Sequence, residues 1–238
     1  MRASWGYVEA VAADVPSGDF WLSPAERALV ARFPAAPRRA DWRLGRWAAK
    51  RALAQWLGES RAPEGWHRLE VLPDASGRPV AFWRSRSLGE PLSLSHRAGR
   101  ALALVGSAGS AVGCDLERIE PRSEAFVRDY FTDLERRTVG EAEPQLREIL
   151  ANLIWSAKES VSKLLGVGLS VDTRSLEIAL DPEPRADGSW LPFRALRVAG
   201  GESFRGWWRA GDGWLTTVVR HPAIASPRDL AADPRPPA

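Results

Sequence analysis

The stretch Trp155 to Lys163, Trp-Ser-Ala-Lys-Glu-Ser-Val-Ser-Lys, sets a carboxylate and an ammonium one helical turn apart. Trp155, Glu159 and Lys163 stand at i, i+4 and i+8, so on a helix they form one column. Such a column is either a solvent-facing ion pair or the polar wall of a site. Upstream, Val112-Gly113-Cys114-Asp115-Leu116-Glu117 alternates. On a strand, Val112, Cys114 and Leu116 take one face and Gly113, Asp115 and Glu117 the other. Two adjacent carboxylates are either separately solvated or bridged by a hard divalent cation with oxygen ligands. His96 closes the run Ser93-Leu94-Ser95-His96. It is either a surface histidine or a donor to a phosphate oxygen. A fourth group is basic: Arg43, Arg46 and Lys50 share one side of a helix, joined by Arg39 if its first turn begins earlier. That side is a solvated basic face or an anion cradle.

Two helices and two small sheets must position these groups. Leu150, Leu153, Ile154, Ala157, Val161, Leu164 and Leu165 form an apolar stripe, which predicts a long amphipathic helix from about Pro144 to Leu165. Ser23-Pro24-Ala25-Glu26 reads as an N-cap, an N1 proline and an acidic first turn, for a short helix to about Phe33. Asp41 is read as the cap of the basic helix, which stops at Gly58. Leu69 to Leu72 and Pro79 to Trp83 flank a turn-rich loop and predict a hairpin. Further strands are expected at Leu92 to Ser95, Ala101 to Val105, Ala111 to Glu117, Ser175 to Leu180, Phe193 to Ala199, Phe204 to Trp208 and Trp214 to Val219. Residues before Ser23 read as irregular. Gly106 to Ser110 is small and flexible and reads as a boundary. The expectation is an α+β chain of two similar subdomains, 1–108 and 109–222, each a helix on a small, mostly antiparallel sheet. A tail, 223–238, rich in Pro, Ala and Asp, is expected to be disordered.

Composition narrows the chemistry. The 238 residues suffice for one large or two small domains, and 45% hydrophobic with 26% charged residues is ordinary for a globular protein. No apolar run is long enough to cross a bilayer and residues 1–19 do not resemble a signal peptide, so the expectation is a cytoplasmic protein with no membrane partner. One cysteine, Cys114, excludes an intrachain disulfide framework, and three histidines leave no thiolate or imidazole zinc cluster. A net charge of +3 suits an anionic ligand or acidic partner and is too small to argue for DNA. The twelve tryptophans form no repeated basic-aromatic pattern, so no nucleic acid is expected. Of 33 basic residues only Lys50, Lys158 and Lys163 are lysine. In so arginine-rich a chain, a lysine marks a place where a compact ammonium works and a broad guanidinium does not.

Taken in order, the basic helix, Ser-x-Ser-His, Gly-x-Asp-x-Glu and Trp-Ser-x-Lys-Glu-Ser-x-x-Lys resemble the 4′-phosphopantetheinyl transferases of the long, pseudo-dimeric Sfp-like kind. Gly166-Val167-Gly168-Leu169-Ser170 is similar to that family too, and the resemblance spans Arg38 to about Val219. It implies the pseudo-dimeric transferase fold in a monomer. It also implies transfer of the 4′-phosphopantetheine arm of coenzyme A to a serine of an apo acyl, aryl or peptidyl carrier protein, with release of 3′,5′-ADP. By the same resemblance Asp115, Glu117 and Glu159 hold Mg²⁺, or Mn²⁺ in its place, and Ser95, His96, Lys158 and Lys163 contact coenzyme A. One or more of Arg39, Arg43, Arg46 and Lys50 binds the 3′-phosphate or pyrophosphate. Glu159, Lys163 and His96 are the implied catalytic set, with Glu159 as general base, metal ligand or both. The chain departs from the family at Arg97, often serine there, and at Cys114, commonly aliphatic. The alternative is a non-catalytic protein of this fold that binds coenzyme A or a carrier protein.

Overall fold

The computed structural model describes residues 4–59, 62–167, 172–180, 185–222 and 225–232. Gly168, Leu169 and Ser170 lie outside them. Two compact units result, Met1–Ser110 with Pro227–Ala238, and Ala111–Ser226.

In the first unit β1 (Trp5–Val11) opens the chain, where the sequence reads as irregular. Five of its seven residues are buried, so the period-two signal of a half-exposed strand is missing. A capping box starts α1 (Pro24–Val30): Ser23 Oγ accepts the Glu26 N–H and Glu26 Oε2 accepts the Ser23 N–H. The helix ends three residues before Phe33, and turns carry the chain on. Next, α2 (Ala36–Leu57) begins before the expected Asp41 cap, because Pro37 falls in the first turn, where its missing N–H is harmless. It ends at Gly58, whose φ of 73° few other residues tolerate. Leu44, Ala48, Ala49, Ala52 and Leu53 form its buried stripe. Strands β2 (Leu69–Pro73), β3 (Pro79–Trp83) and β4 (Arg86–Ser87) make a three-stranded sheet. Strands β5 (Leu92–Arg97) and β6 (Arg100–Gly106) are joined by the two-residue turn Ala98-Gly99, both with positive φ, and β6 pairs antiparallel with β1.

The second unit repeats this plan. It runs β7 (Ala111–Arg118), α3 (Glu124–Tyr130), α4 (Asp133–Glu141), α5 (Pro144–Leu165), β8 (Leu176–Leu180), β9 (Leu191–Arg197), β10 (Ser203–Gly211) and β11 (Trp214–His221). The sheet order is β7-β11-β10-β9-β8, antiparallel throughout. Helix α5 has 22 residues, as α2 has, and ends at Gly166 with φ 69°. Thr132 and Glu135 form the capping box of α4 as Ser23 and Glu26 do for α1. The β10–β11 turn, Asp212-Gly213, has the same two positive φ angles as Ala98-Gly99. Leu150, Leu153, Ile154, Ala157 and Val161 pack on Phe193, Phe204, Trp208, Leu215 and Val219.

The expected disordered tail is corrected over its described part. Strand β12 (Arg228–Asp229) pairs parallel with Gly6 and Tyr7 of β1, and Leu230, only 3% exposed, joins the first unit's core.

Candidate active site

Helix α5 lies directly on β7. A Cβ at Gly113 would come within 1.9 Å of the Ser160 carbonyl oxygen, so only glycine allows the approach. On the neighbouring strand Thr217 stands opposite Asp115, hence on the same sheet face. Its hydroxyl lies 2.8 Å from Ser156 Oγ and 2.6 Å from Ser160 Oγ, and donates to the Ser156 carbonyl at 2.9 Å. Ser156 and Ser160 therefore bolt the helix to the sheet beside Asp115. The carboxylate face of β7 is covered by this helix: Asp115 is 5% and Glu117 8% exposed.

That packing brings four of the expected residues together. Lys163 Nζ sits 2.8 Å from Asp115 Oδ1 and donates to the Cys114 carbonyl at 3.0 Å. Glu117 Oε2 is 3.3 Å from Arg122 Nη2. Arg122 is steadied by Asn152 Oδ1, which accepts from its Nε at 2.8 Å, and by the Phe126 ring 5.0 Å away. Asn152 is fixed in turn by donating to the Glu120 and Glu148 carbonyls. Trp155 fills the space beside Phe126 and Tyr130, at centroid distances of 5.0 and 5.2 Å. Glu159 Oε1 is buried and has no hydrogen-bond partner among the described residues.

The electrostatics are those of a site short of positive charge. Burial, then Asp115 and Glu117, push the Glu159 carboxyl above its usual range, with Lys163 opposing. Burial disfavours the Lys163 ammonium, but Asp115, the Cys114 sulfur and Glu159 outweigh it and raise its pKa. Three carboxylates thus share two cations, Lys163 and Arg122. A divalent cation fits this surplus and the orphaned Glu159 oxygen by charge and donor type. Among the described residues, however, no three Asp, Glu, His or Cys side chains stand grouped to hold an ion as they are.

Two residues expected to contact coenzyme A are corrected: Lys50 and Lys158 are fully buried. Lys158 Nζ lies 2.7 Å from Glu135 and donates to the Tyr130 and Thr173 carbonyls at 3.1 and 2.9 Å. Lys50 Nζ lies 2.5 Å from Glu26 and donates to the Trp21 and Trp66 carbonyls at 2.8 and 3.0 Å. Each ammonium meets three acceptors, which a planar guanidinium could not fit. Each partner carboxylate also takes a strand amide, Val71 for Glu26 and Ile178 for Glu135.

The remaining basic residues of α2 divide. Arg39 donates to the Phe33 and Pro34 carbonyls. Arg43 pairs with Asp19 and donates to the Pro16 and Gly18 carbonyls. Arg46 has no ion pair among the described residues; its Nε is buried without a hydrogen bond, its guanidinium lies 4.7 Å from the Trp42 ring centroid, and burial lowers its pKa to about 10 against the pull of Glu26. Ser95 is buried and His96 exposed on β5, where a Cβ on Gly45 of α2 would stand 3.7 Å from the ring. Sequence reading missed Arg122, Asn152, Thr217 and the roles of Ser156 and Ser160. Only the serines left a signal, small polar residues at i and i+4 on a buried helix face.

Residues 111–218 match the family model of the 4′-phosphopantetheinyl transferase superfamily. The chain is 30% identical over 244 residues to the 4′-phosphopantetheinyl transferase Svp of Streptomyces mobaraensis, covering 98% of this chain and 91% of that one. It is 36% identical over 143 residues to the 4′-phosphopantetheinyl transferase AcpT of Salmonella typhi, covering 58% and 65%. A solved holo-(acyl-carrier-protein) synthase of Bacillus anthracis in complex with CoA (3′,5′-ADP) is 24% identical over 43% of this chain and 92% of that one, with a TM-score of 0.35. On the near full-length likeness to Svp, this chain belongs to the 4′-phosphopantetheinyl transferase superfamily and is an enzyme of that class.

Proposed function

We propose that this enzyme transfers the 4′-phosphopantetheine arm of coenzyme A to a serine hydroxyl of an apo carrier protein and releases 3′,5′-ADP, acting as a monomer. The observation that carries the reading is the arrangement of Asp115, Lys163 and Glu159, an acid–cation–acid set in which Asp115 is buried, Lys163 and Glu159 are half-buried, and one Glu159 carboxylate oxygen is left unsatisfied. Asp115, Glu117 and Glu159, which do not stand grouped around an ion as they are, would have to draw together to hold Mg²⁺, and the ion would supply positive charge to the pyrophosphate. Lys163, kept protonated by its acidic neighbours, presents a compact cation to the oxygens on which charge grows. Glu159, whose burial raises its proton affinity, is the acceptor for the serine proton. The serine oxygen forms a bond to the phosphorus nearest the pantetheine arm, and the bond from that phosphorus to the bridging oxygen breaks toward 3′,5′-ADP.

A cavity of about 470 Å³ in the second unit supports the acidic partner. It is lined by α3, α4 and the start of α5, where Arg122, Arg128, Arg136 and Arg147 outnumber Glu124 and Glu148 around apolar Val127 and Val139. The test is intact-protein mass spectrometry of apo fatty-acid, polyketide and peptide carriers incubated with the enzyme, coenzyme A and Mg²⁺. The expected product carries one phosphopantetheine arm; no added mass on any carrier overturns the proposal.

A further inference from the structure

The internal repeat puts a second cavity at the place in the first unit that corresponds to the site above. Lys50 and Lys158 occupy equivalent slots, and each lies eight residues before its helix-ending glycine, Gly58 or Gly166. The column Trp155, Glu159, Lys163 therefore corresponds to Trp47, Arg51, Gln55 on α2. The two hairpin turns align Arg100 with Trp214, hence Ala103 with Thr217. Their strand partners, Val8 and Asp115, then correspond, as do Ala10 and Glu117. A cavity of about 300 Å³ is lined by Val8, Trp47, Arg51 and Gln55, together with Asp14 and Ala231.

We propose that this cavity is a second ligand site that takes a small oxyanion, a phosphoryl or carboxylate group, and no metal ion. The carboxylates that would attract a cation are replaced by Val8 and Ala10, while Trp47, Arg51 and Gln55, which line the cavity from α2, carry donors, and the one carboxylate in the wall, Asp14, is paired with Arg51. Trp47 is 8% exposed and its indole N–H is buried with no hydrogen-bond partner among the described residues. In a native fold such an orphan calls for an acceptor. Arg51 is oriented by Asp14, 3.2 Å from its Nη1, and Asp14 is itself fixed by the Val11 N–H at 3.0 Å. That contact uses one edge of the guanidinium and leaves the other donors for an oxyanion, with the Gln55 amide one turn further on. The returning tail walls the site, since Leu230 packs over Gly6 and Ala231 lines the cavity. At this size the ligand is a small molecule or a single charged group of a larger one.

The test is the indole N–H resonance of Trp47 in the ¹⁵N-labelled full-length chain, in chelator, during titration with inorganic phosphate and separately with acetate. Trp47→Phe assigns the resonance, and through-bond spectra assign it should that variant fail to fold. A saturable shift with either probe is expected, and the tighter of the two identifies the group the site prefers. Arg51→Ala is expected to weaken it at least about tenfold, and Gln55→Ala by less. A Trp47 resonance unmoved by both probes, or a shift surviving both Arg51→Ala and Gln55→Ala, overturns the site. The readout leaves the transfer reaction untouched, so its failure is distinct from a failure of the proposed activity.

Discussion

In the second half the helix column is Trp155, Glu159, Lys163 and the strand beneath carries Asp115 and Glu117; in the first half the corresponding places hold Trp47, Arg51, Gln55, Val8 and Ala10. A few residues away the two halves agree down to single atoms. Each has a capping-box glutamate that takes a strand amide with one oxygen and a buried lysine with the other, and each lysine donates to two carbonyls. On the proposed reading, the difference separates residues that build the fold from those that do chemistry. What both halves keep is scaffold; the paired acids with the Glu159 and Lys163 column, which only one half has, are the candidate active site. Lys158 sits inside the most specific motif of the chain and still belongs to the first group, because its counterpart Lys50 does the same work where there are no paired acids.

The sharpest break in the comparison is chemical. Asp115→Ala is expected to lower carrier modification by about 10³-fold or more, as loss of a charge-stabilising group does, with little change in the denaturation midpoint. Full activity in that variant in metal-replete buffer would refute the metal assignment. Next come the buried lysines. Lys50→Ala and Lys158→Ala should each destabilise the protein by about 3–5 kcal/mol, since each strands a buried carboxylate. Urea unfolding checks this, and a large loss in one half with almost none in the other would show that the slots are not equivalent. Smaller again is the contrast between Gly113 and its counterpart Gly6. At Gly113 an added Cβ meets the Ser160 carbonyl at 1.9 Å, whereas at Gly6 it first meets the movable end of Leu230 at 2.6 Å. Gly113→Ala should cost about 1–3 kcal/mol and reduce transfer, while Gly6→Ala should cost less and loosen the tail, read by limited proteolysis.

The smallest effect is acid sensitivity, which the halves should share. Hydrogen bonds from the Ser76 hydroxyl, the Ser76 amide and Arg78 hold Asp74 down to about 2, and Arg174 does the same for Asp172, also to about 2. Both folded values lie below the ordinary carboxylate value, so both groups stabilise the fold above it and lose that contribution as pH falls toward about 2. Thermal melts between pH 5 and 2 should show Asp74→Asn and Asp172→Asn each flattening the decline. An unchanged slope in either variant would remove that residue from the account.

The elements nearest the site were the most legible in the sequence, for a physical reason. Residues that act together from one helix must recur at i and i+4, and residues that act together from one strand must alternate; Glu159 with Lys163 and Asp115 with Glu117 obey those rules. The buried lysines were misread as coenzyme A contacts because their partners, Glu26 and Glu135, lie more than twenty residues away on another helix, where no local period links them. Strand β1 was missed because it is buried on both faces, and β12 because proline and aspartate dominate the composition around a pairing of only two residues. Arg122 and Asn152 carried no pattern, since a loop residue clasping a helix residue repeats nothing.

The pairing of β12 with β1 also sets an order of events during synthesis. The strand that borders Gly6 and Tyr7 leaves the ribosome only after the whole of Ala111–Ser226 has been made. Until then the outer edge of the first strand lacks that neighbour and the hollow over Gly6 awaits Leu230. The first unit to begin is therefore the last to be completed, and a chain cut just after His221 would be left with its opening strand unsealed.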